Sequence, residues 1–128
     1  MKFELNIGLN VAGGANRTAD INARTEMALR MVKAKFGDGA FMRRYESEYV
    51  DPAGTIVLES GLFVAVDTVR VKASWIVYSA VEVIAAALEQ DCIAVFFPDA
   101  LFGKLVGPKA AAWGKFDFNY FKRFESEV

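Results

Sequence analysis

The chain has no histidine, one cysteine and three prolines in 128 residues. Without histidine, the usual general base at neutral pH and the commonest metal ligand are both missing. A single cysteine, Cys92, can form neither an internal disulfide nor a thiolate metal site, and it reads as a small core residue at the start of a strand. Charge of one sign is lacking too. Fifteen basic residues against sixteen acidic ones give a net charge of -1 and a pI near 5.5, so no overall positive field draws in a phosphate backbone. The most apolar stretch, residues 73–88, carries Glu82 at its middle and falls short of the ~20 residues a membrane span requires. The opening MKFELNIGLN has Glu4, Asn6 and Asn10 spread through it, which breaks up the apolar core of a secretory signal. These absences point to one cytoplasmic domain over 1–128 with no metal and no cofactor, for which membrane and nucleic acid are disfavoured partners.

What is present is a globular composition, 54% hydrophobic and 24% charged. Phe3, Leu5, Ile7 and Leu9 alternate with Glu4, Asn6, Gly8 and Asn10, the period of a strand with one face on a core. After a glycine-containing loop, Thr18 or Asp20 is placed to cap a helix reaching Phe36, with Gly37 as its stop and Ile21, Ala28, Val32 and Phe36 on its apolar stripe. Phe41 to Val50, the Asp51-Pro52-Ala53-Gly54 turn and Thr55 to Glu59 read as a hairpin. Gly61 then interrupts an extended run to Val71, either as a bulge in one strand or as a turn between two. A second helix starts near Ser74. Cys92 to Phe97 is apolar on both parities, as for a strand covered on both faces, and Gly103 to Pro108 reads as a short return strand. The order matches an α+β ferredoxin-like split βαβ fold, β-α-β-β-α-β, extended by a C-terminal hairpin and an aromatic tail holding Trp113, Phe116, Phe118, Tyr120, Phe121 and Phe124.

The helix at residues 73–90 has no lysine or arginine. One stripe (Val77, Val81, Ile84, Leu88) suits packing on a sheet, while a second (Ile76, Ala80, Val83, Ala87) also requires cover. The aromatic tail is one candidate for that cover, and a second copy of the chain, making a homodimer through residues 73–90, is the other.

No constellation carries a recognised chemistry. The loop after the first strand spaces Gly8 and Gly13 like the glycines of a phosphate-binding loop, but Gly14 and Ala15 stand where its lysine and hydroxyl belong. Glu46 and Glu48 share a strand face near Arg44. With Tyr45 they are the first candidates for a small cofactor-free enzyme, although an exposed charged strand face explains them more simply. Arg43, Tyr45 and Tyr49 lie on the opposite parity and have the residue types enriched at protein interaction hot spots. Lys104, Lys109 and Lys115, with Lys122 and Arg123, form the one locally basic region, the basis of an alternative reading as a weak nucleic-acid binder. The aliphatic run Gly61 to Val66 lacks the stacking rings of an RNA-binding sheet.

Asn6-Ile7-Gly8-Leu9-Asn10, Gln90-Asp91-Cys92-Ile93-Ala94-Val95 and Leu105-Val106-Gly107-Pro108, with Trp113-Gly114 and Tyr120-Phe121, resemble small uncharacterised proteins of bacterial phages and plasmids. The resemblance touches both ends of the chain and implies a mobile-element setting, in which small accessory proteins bind and block host proteins as anti-CRISPR proteins do. With no catalytic set assigned, the expectation is a non-enzymatic protein-binding module. Arg43, Tyr45 and Tyr49, the stripe Ile76, Ala80, Val83 and Ala87, and the lysines Lys104, Lys109 and Lys115 are its contact candidates.

Overall fold

The structure, a computed structural model, describes residues 1–14, 16–37 and 39–108. Within it the chain runs β1 (Lys2–Gly8), α1 (Thr18–Phe36), β2 (Ala40–Val50), β3 (Ile56–Asp67), α2 (Ser74–Ala87), β4 (Ile93–Phe97), a 3-10 turn (Pro98–Ala100) and β5 (Phe102–Val106). The five strands form one sheet in the order β2-β3-β1-β4-β5, antiparallel throughout. The first four have the ferredoxin-like order, and β5 is the expected C-terminal hairpin strand added beside β4. The aromatic tail from Lys109 onward lies outside the described residues. No helix among the described residues is long and apolar enough to cross a membrane.

The alternation of β1 sets the layering. Phe3, Leu5 and Ile7 are essentially fully buried and are joined by Leu62, Val64 and Val66 of β3 and Ile93, Val95 and Phe97 of β4. On these side chains α1 sets Ala28, Met31, Val32 and Phe36, and α2 sets Val77, Val81, Ile84 and Leu88. Each fully buried aliphatic or aromatic side chain contributes about 1.5–3 kcal/mol of transfer free energy, and Phe3 adds an edge-to-face contact with Phe36 at 4.8 Å between centroids. Both helices lie on this one face of the sheet. Among the described residues, no helix lies on the opposite face.

Several details depart from expectation. Asp20 does not cap α1; Arg17 is the N-cap and no side chain bonds the free amides, because the Asp20 carboxylate is engaged by the Arg17 guanidinium at 2.9 Å. Gly61 is neither a bulge nor a turn: β3 runs unbroken, with Ser60, Gly61 and Leu62 paired in register to Glu46, Tyr45 and Arg44. β4 is covered on one face only, and Phe96 stays 37% exposed, because no helix crosses to the open side. Burial along the second stripe of α2 is uneven, with Ile76 and Ala87 only half-buried. Ala80 and Val83 are 2% and 6% exposed, and α2 is flanked by α1 and β5 as well as resting on the sheet.

The β2–β3 hairpin is longer than the sheet it belongs to. Along β3, β1 reaches only Gly61–Asp67, whereas β2 and β3 stay paired out to Val50 opposite Ile56. The outer half therefore projects as an arm past the end of β1. Its tip is closed by Asp51, whose Oδ1 accepts from the amides of Ala53 and Thr55.

Candidate cleft at the end of the sheet

The site is built where β1 runs out. Beyond Gly8 the chain needs new partners for its backbone, and Asn10 supplies them with its side chain. Its Oδ1 accepts from the Ser60 amide at 2.7 Å, and its Nδ2 donates to the Leu58 carbonyl at 3.3 Å, tying the loop to the base of the arm. Its own carbonyl accepts from Gln90 Nε2 at 2.7 Å, tying the same loop to the turn after α2. Asn16 closes the loop on itself by accepting from the Val11 amide and donating to the Val11 carbonyl. Arg24 of α1 donates from Nη2 to Asn16 Oδ1 and from Nε to the Leu9 carbonyl. The Val11 amide and the Gly14 amide, which donates to the Val11 carbonyl, are thus spent inside the loop, unlike the free amides of a phosphate-binding loop.

These ties hold three walls around a cleft of about 470 Å³: the loop from Asn10 to Asn16, Val57 and Glu59 of the arm, and the turn Glu89 to Cys92. Glu59, Glu89 and Asp91 bring three carboxyl groups to it. No lysine or arginine is among the lining residues. The lining is thus acidic, with the Arg24 guanidinium behind Asn16. Cys92, an exposed free thiol at its edge rather than a core residue, adds a small polarisable surface.

Two features of the backbone shape this corner. Gly8 and Gly61 face each other across β1 and β3. A side chain on Gly8 would meet Gln90 Oε1 at 2.5 Å and Glu59 Oε1 at 3.7 Å, and one on Gly61 would overlap the Tyr45 ring. The paired glycines thus form a bare floor on which Gln90, Glu59 and Tyr45 lie. Burial first, and then the charge of Glu59, push the Tyr45 hydroxyl above the usual tyrosine range. The second feature is Glu89, the residue after the Leu88 cap of α2. The Gln90 amide bonds the Ala85 carbonyl and the Glu89 amide bonds the Ala86 carbonyl, the pattern of a helix end normally occupied by glycine. Glu89 is held there at φ 55, in the left-handed region that costs a side-chain-bearing residue about 1 kcal/mol.

Of the residues singled out from the sequence, Arg43 is exposed on the open face of the sheet and Tyr45 is half-buried beside Glu59. Tyr49 pairs with Val57 in the arm. Glu46 and Glu48 are exposed on the other face of β2, so they do not join Tyr45, and neither lines the cleft. Ile76 and Ala87 are half-buried against the core that holds Ala80 and Val83. The Lys104 ammonium sits 4.7 Å over the Tyr78 ring; Lys109 and Lys115 lie outside the described residues. No cluster of three potential metal ligands occurs among the described residues. Sequence reasoning missed Asn10, Glu59, Glu89 and Gln90 as a group. Their one available sign was position, since each stands beside the end of an apolar element where the chain must turn.

The fold and the cleft together define a ferredoxin-like α+β sandwich with a polar site at one end of its sheet. No protein-family model matches the sequence, and no curated protein does. Among solved structures, the chain is similar to a phage SAM lyase in complex with S-methyl-5'-thioadenosine, with a TM-score of 0.51 and 14% identity over 73% of this chain and 76% of that one. It is also similar to a phage SAM lyase in the apo state, with a TM-score of 0.47 and 14% identity over 73% and 75%. At this identity the likeness concerns the fold.

Proposed function

We propose that the chain is a phage-type accessory protein that takes a cationic nucleoside of the S-adenosylmethionine class into the cleft at the end of its sheet and cleaves it. The observation that carries this reading is the cleft itself: three carboxyl groups and no lining cation around about 470 Å³, within the roughly 300–1,000 Å³ range of small-molecule sites. S-adenosylmethionine offers a sulfonium and an ammonium for those carboxylates. The fold's likeness to a phage SAM lyase supports the choice of nucleoside, and the resemblance of both chain ends to phage and plasmid proteins agrees with the setting.

In a chain with no histidine, a cleavage in which the substrate supplies its own leaving group needs no imidazole base. Attack of the substrate's own carboxylate on the chain carbon bound to sulfur forms the C–O bond of a five-membered lactone as the C–S bond breaks. The electron pair of that bond returns to sulfur, leaving S-methyl-5'-thioadenosine and the amino lactone, so the protein has only to orient and desolvate the substrate. Glu59 is the group assigned to hold the cation, with Tyr45 half-buried nearby.

The test is calorimetric titration with S-adenosylmethionine, paired with mass spectrometry for S-methyl-5'-thioadenosine. Binding with release of the thioether, both weakened at least about tenfold in Glu59→Gln, is the expected result. No binding and no thioether from the folded wild-type protein would end the proposal.

A second reading, the protein-binding module, rests on a different observation. Val50, Ile56 and Leu58 of the projecting arm are 68%, 65% and 65% exposed and form an apolar strip with no cover among the described residues. It takes precedence if the cleft binds no nucleoside and Leu58→Lys abolishes capture of a defined host protein.

A further inference from the structure

The sheet has two edges, and they are built differently. β2 carries Arg43, Arg44, Glu46 and Glu48, all exposed, the alternating charge that keeps one sheet from pairing with another. At the other edge, β5 has a single charged residue, Lys104, whose ammonium is drawn over the Tyr78 ring of α2 at 4.7 Å. What β5 presents is apolar on both sides. Phe102, on the helix side, is 51% exposed; Leu105, on the open side, is 68% exposed; and Leu101, leading into the strand, is 85% exposed.

We propose that two copies of this chain pair through β5, edge to edge and antiparallel, joining two five-stranded sheets into one. A second copy is the occupant for three reasons. A net charge of -1 gives identical molecules little mutual repulsion. An antiparallel two-fold preserves the two faces of the sheet, so it sets the two Leu105 side chains on one face and the two Phe102 rings on the other, which covers both exposed apolar sides at once. The charged β2 edge cannot continue the pairing, so association closes at two molecules instead of running on into a fibre.

Sedimentation velocity and amide hydrogen exchange on the full chain over a concentration series test this. The expected mass rises from 14.1 kDa toward twice that value, with exchange protection of residues 102–106 rising in step. Leu105→Lys, at an exposed position, should raise the dissociation constant at least about tenfold, whereas Leu58→Lys in the arm leaves it unchanged. A monomer at every concentration overturns the proposal, since the edge is then free or taken by residues 109–128. Association without added protection of 102–106, or association lost in Leu58→Lys and kept in Leu105→Lys, overturns it as well, because another face then carries the contact.

Discussion

Replacing Gly61 with alanine tests the geometry of the cleft floor most directly. Alanine in the interior of a strand is normally worth about 0.5–1 kcal/mol over glycine, because it loses less backbone freedom on folding. Here the new methyl would overlap Cζ and Oη of Tyr45 and stand 2.8 Å from Cε2. Gly61 is buried in a strand flanked by β1 and β2, so the backbone cannot give way and the ring must swing off its seat. Overpacking of this kind costs about 1–3 kcal/mol. The balance is a net loss of about 1–2 kcal/mol, which lowers Tm by roughly 4 °C per kcal/mol for a domain of this size.

Because the whole loss is assigned to one ring, a double-mutant cycle isolates it. In a Tyr45→Ala background the space is empty, and Gly61→Ala becomes neutral or stabilising, a coupling of about 1–3 kcal/mol. In Tyr45→Phe the ring remains, so the penalty remains as well. Thermal or urea unfolding of the six proteins gives every term. A Gly61→Ala change that costs nothing beside Tyr45, or that costs the same in the Tyr45→Ala background as beside the tyrosine, refutes the packing argument and with it the account of why a glycine stands there.

Asn10→Ala leaves the Ser60 amide, in a residue only 7% exposed, without its acceptor; the expected loss is about 1–3 kcal/mol, read by urea unfolding and accompanied by weaker cleft binding in calorimetry. Glu89→Gly relaxes a left-handed position and should gain about 0.5–1 kcal/mol in stability while weakening the cleft's hold on a cation, so Tm and affinity move in opposite directions. For Tyr45 the folded pKa lies above the ordinary value of 10.0. Its contribution is therefore fully present below that pH and is lost as pH rises through the folded pKa. The alkaline fall in stability is correspondingly shallower in Tyr45→Phe, as a pH series of unfolding curves would show.

The sheet order was legible in the sequence because each cue was local and periodic. Phe3, Leu5 and Ile7 declare a strand by alternation, the Asp51–Gly54 turn declares a hairpin, and Ile21, Ala28, Val32 and Phe36 declare a helical stripe. Where the reading failed, the deciding partner was distant in sequence. Gly61 looked like a break because the ring that needs its empty space, Tyr45, sits on the neighbouring strand. The apolar pattern of β4 implied cover on both faces, yet cover depends on which side the connections pass, and both helices pass on one. On α2 the stripe residues Ala80 and Val83 are buried, with α1 and β5 flanking the helix. The cleft was invisible for the same reason. Asn10, Glu59, Glu89 and Gln90 belong to three segments and become a site only when β1, β3 and the end of α2 are brought together.

What sets this corner apart from an ordinary loop surface is that several separate costs converge on it. Glu89 occupies a backbone conformation that glycine would adopt without strain. Glu59, Glu89 and Asp91 line one volume with no basic residue in its lining. Gly8 and Gly61 give up side-chain packing in the middle of the sheet. The body of the fold bears these costs easily, since the core residues from Phe3 to Ile7 and from Leu62 to Val66 are essentially closed to solvent. A strained residue, a patch of like charge and a bare floor together leave the folded chain less stable than a simple substitution would make it. A bound cation would offset the charge term, and this makes the sheet end, rather than the charged face of β2, the place to look for a ligand.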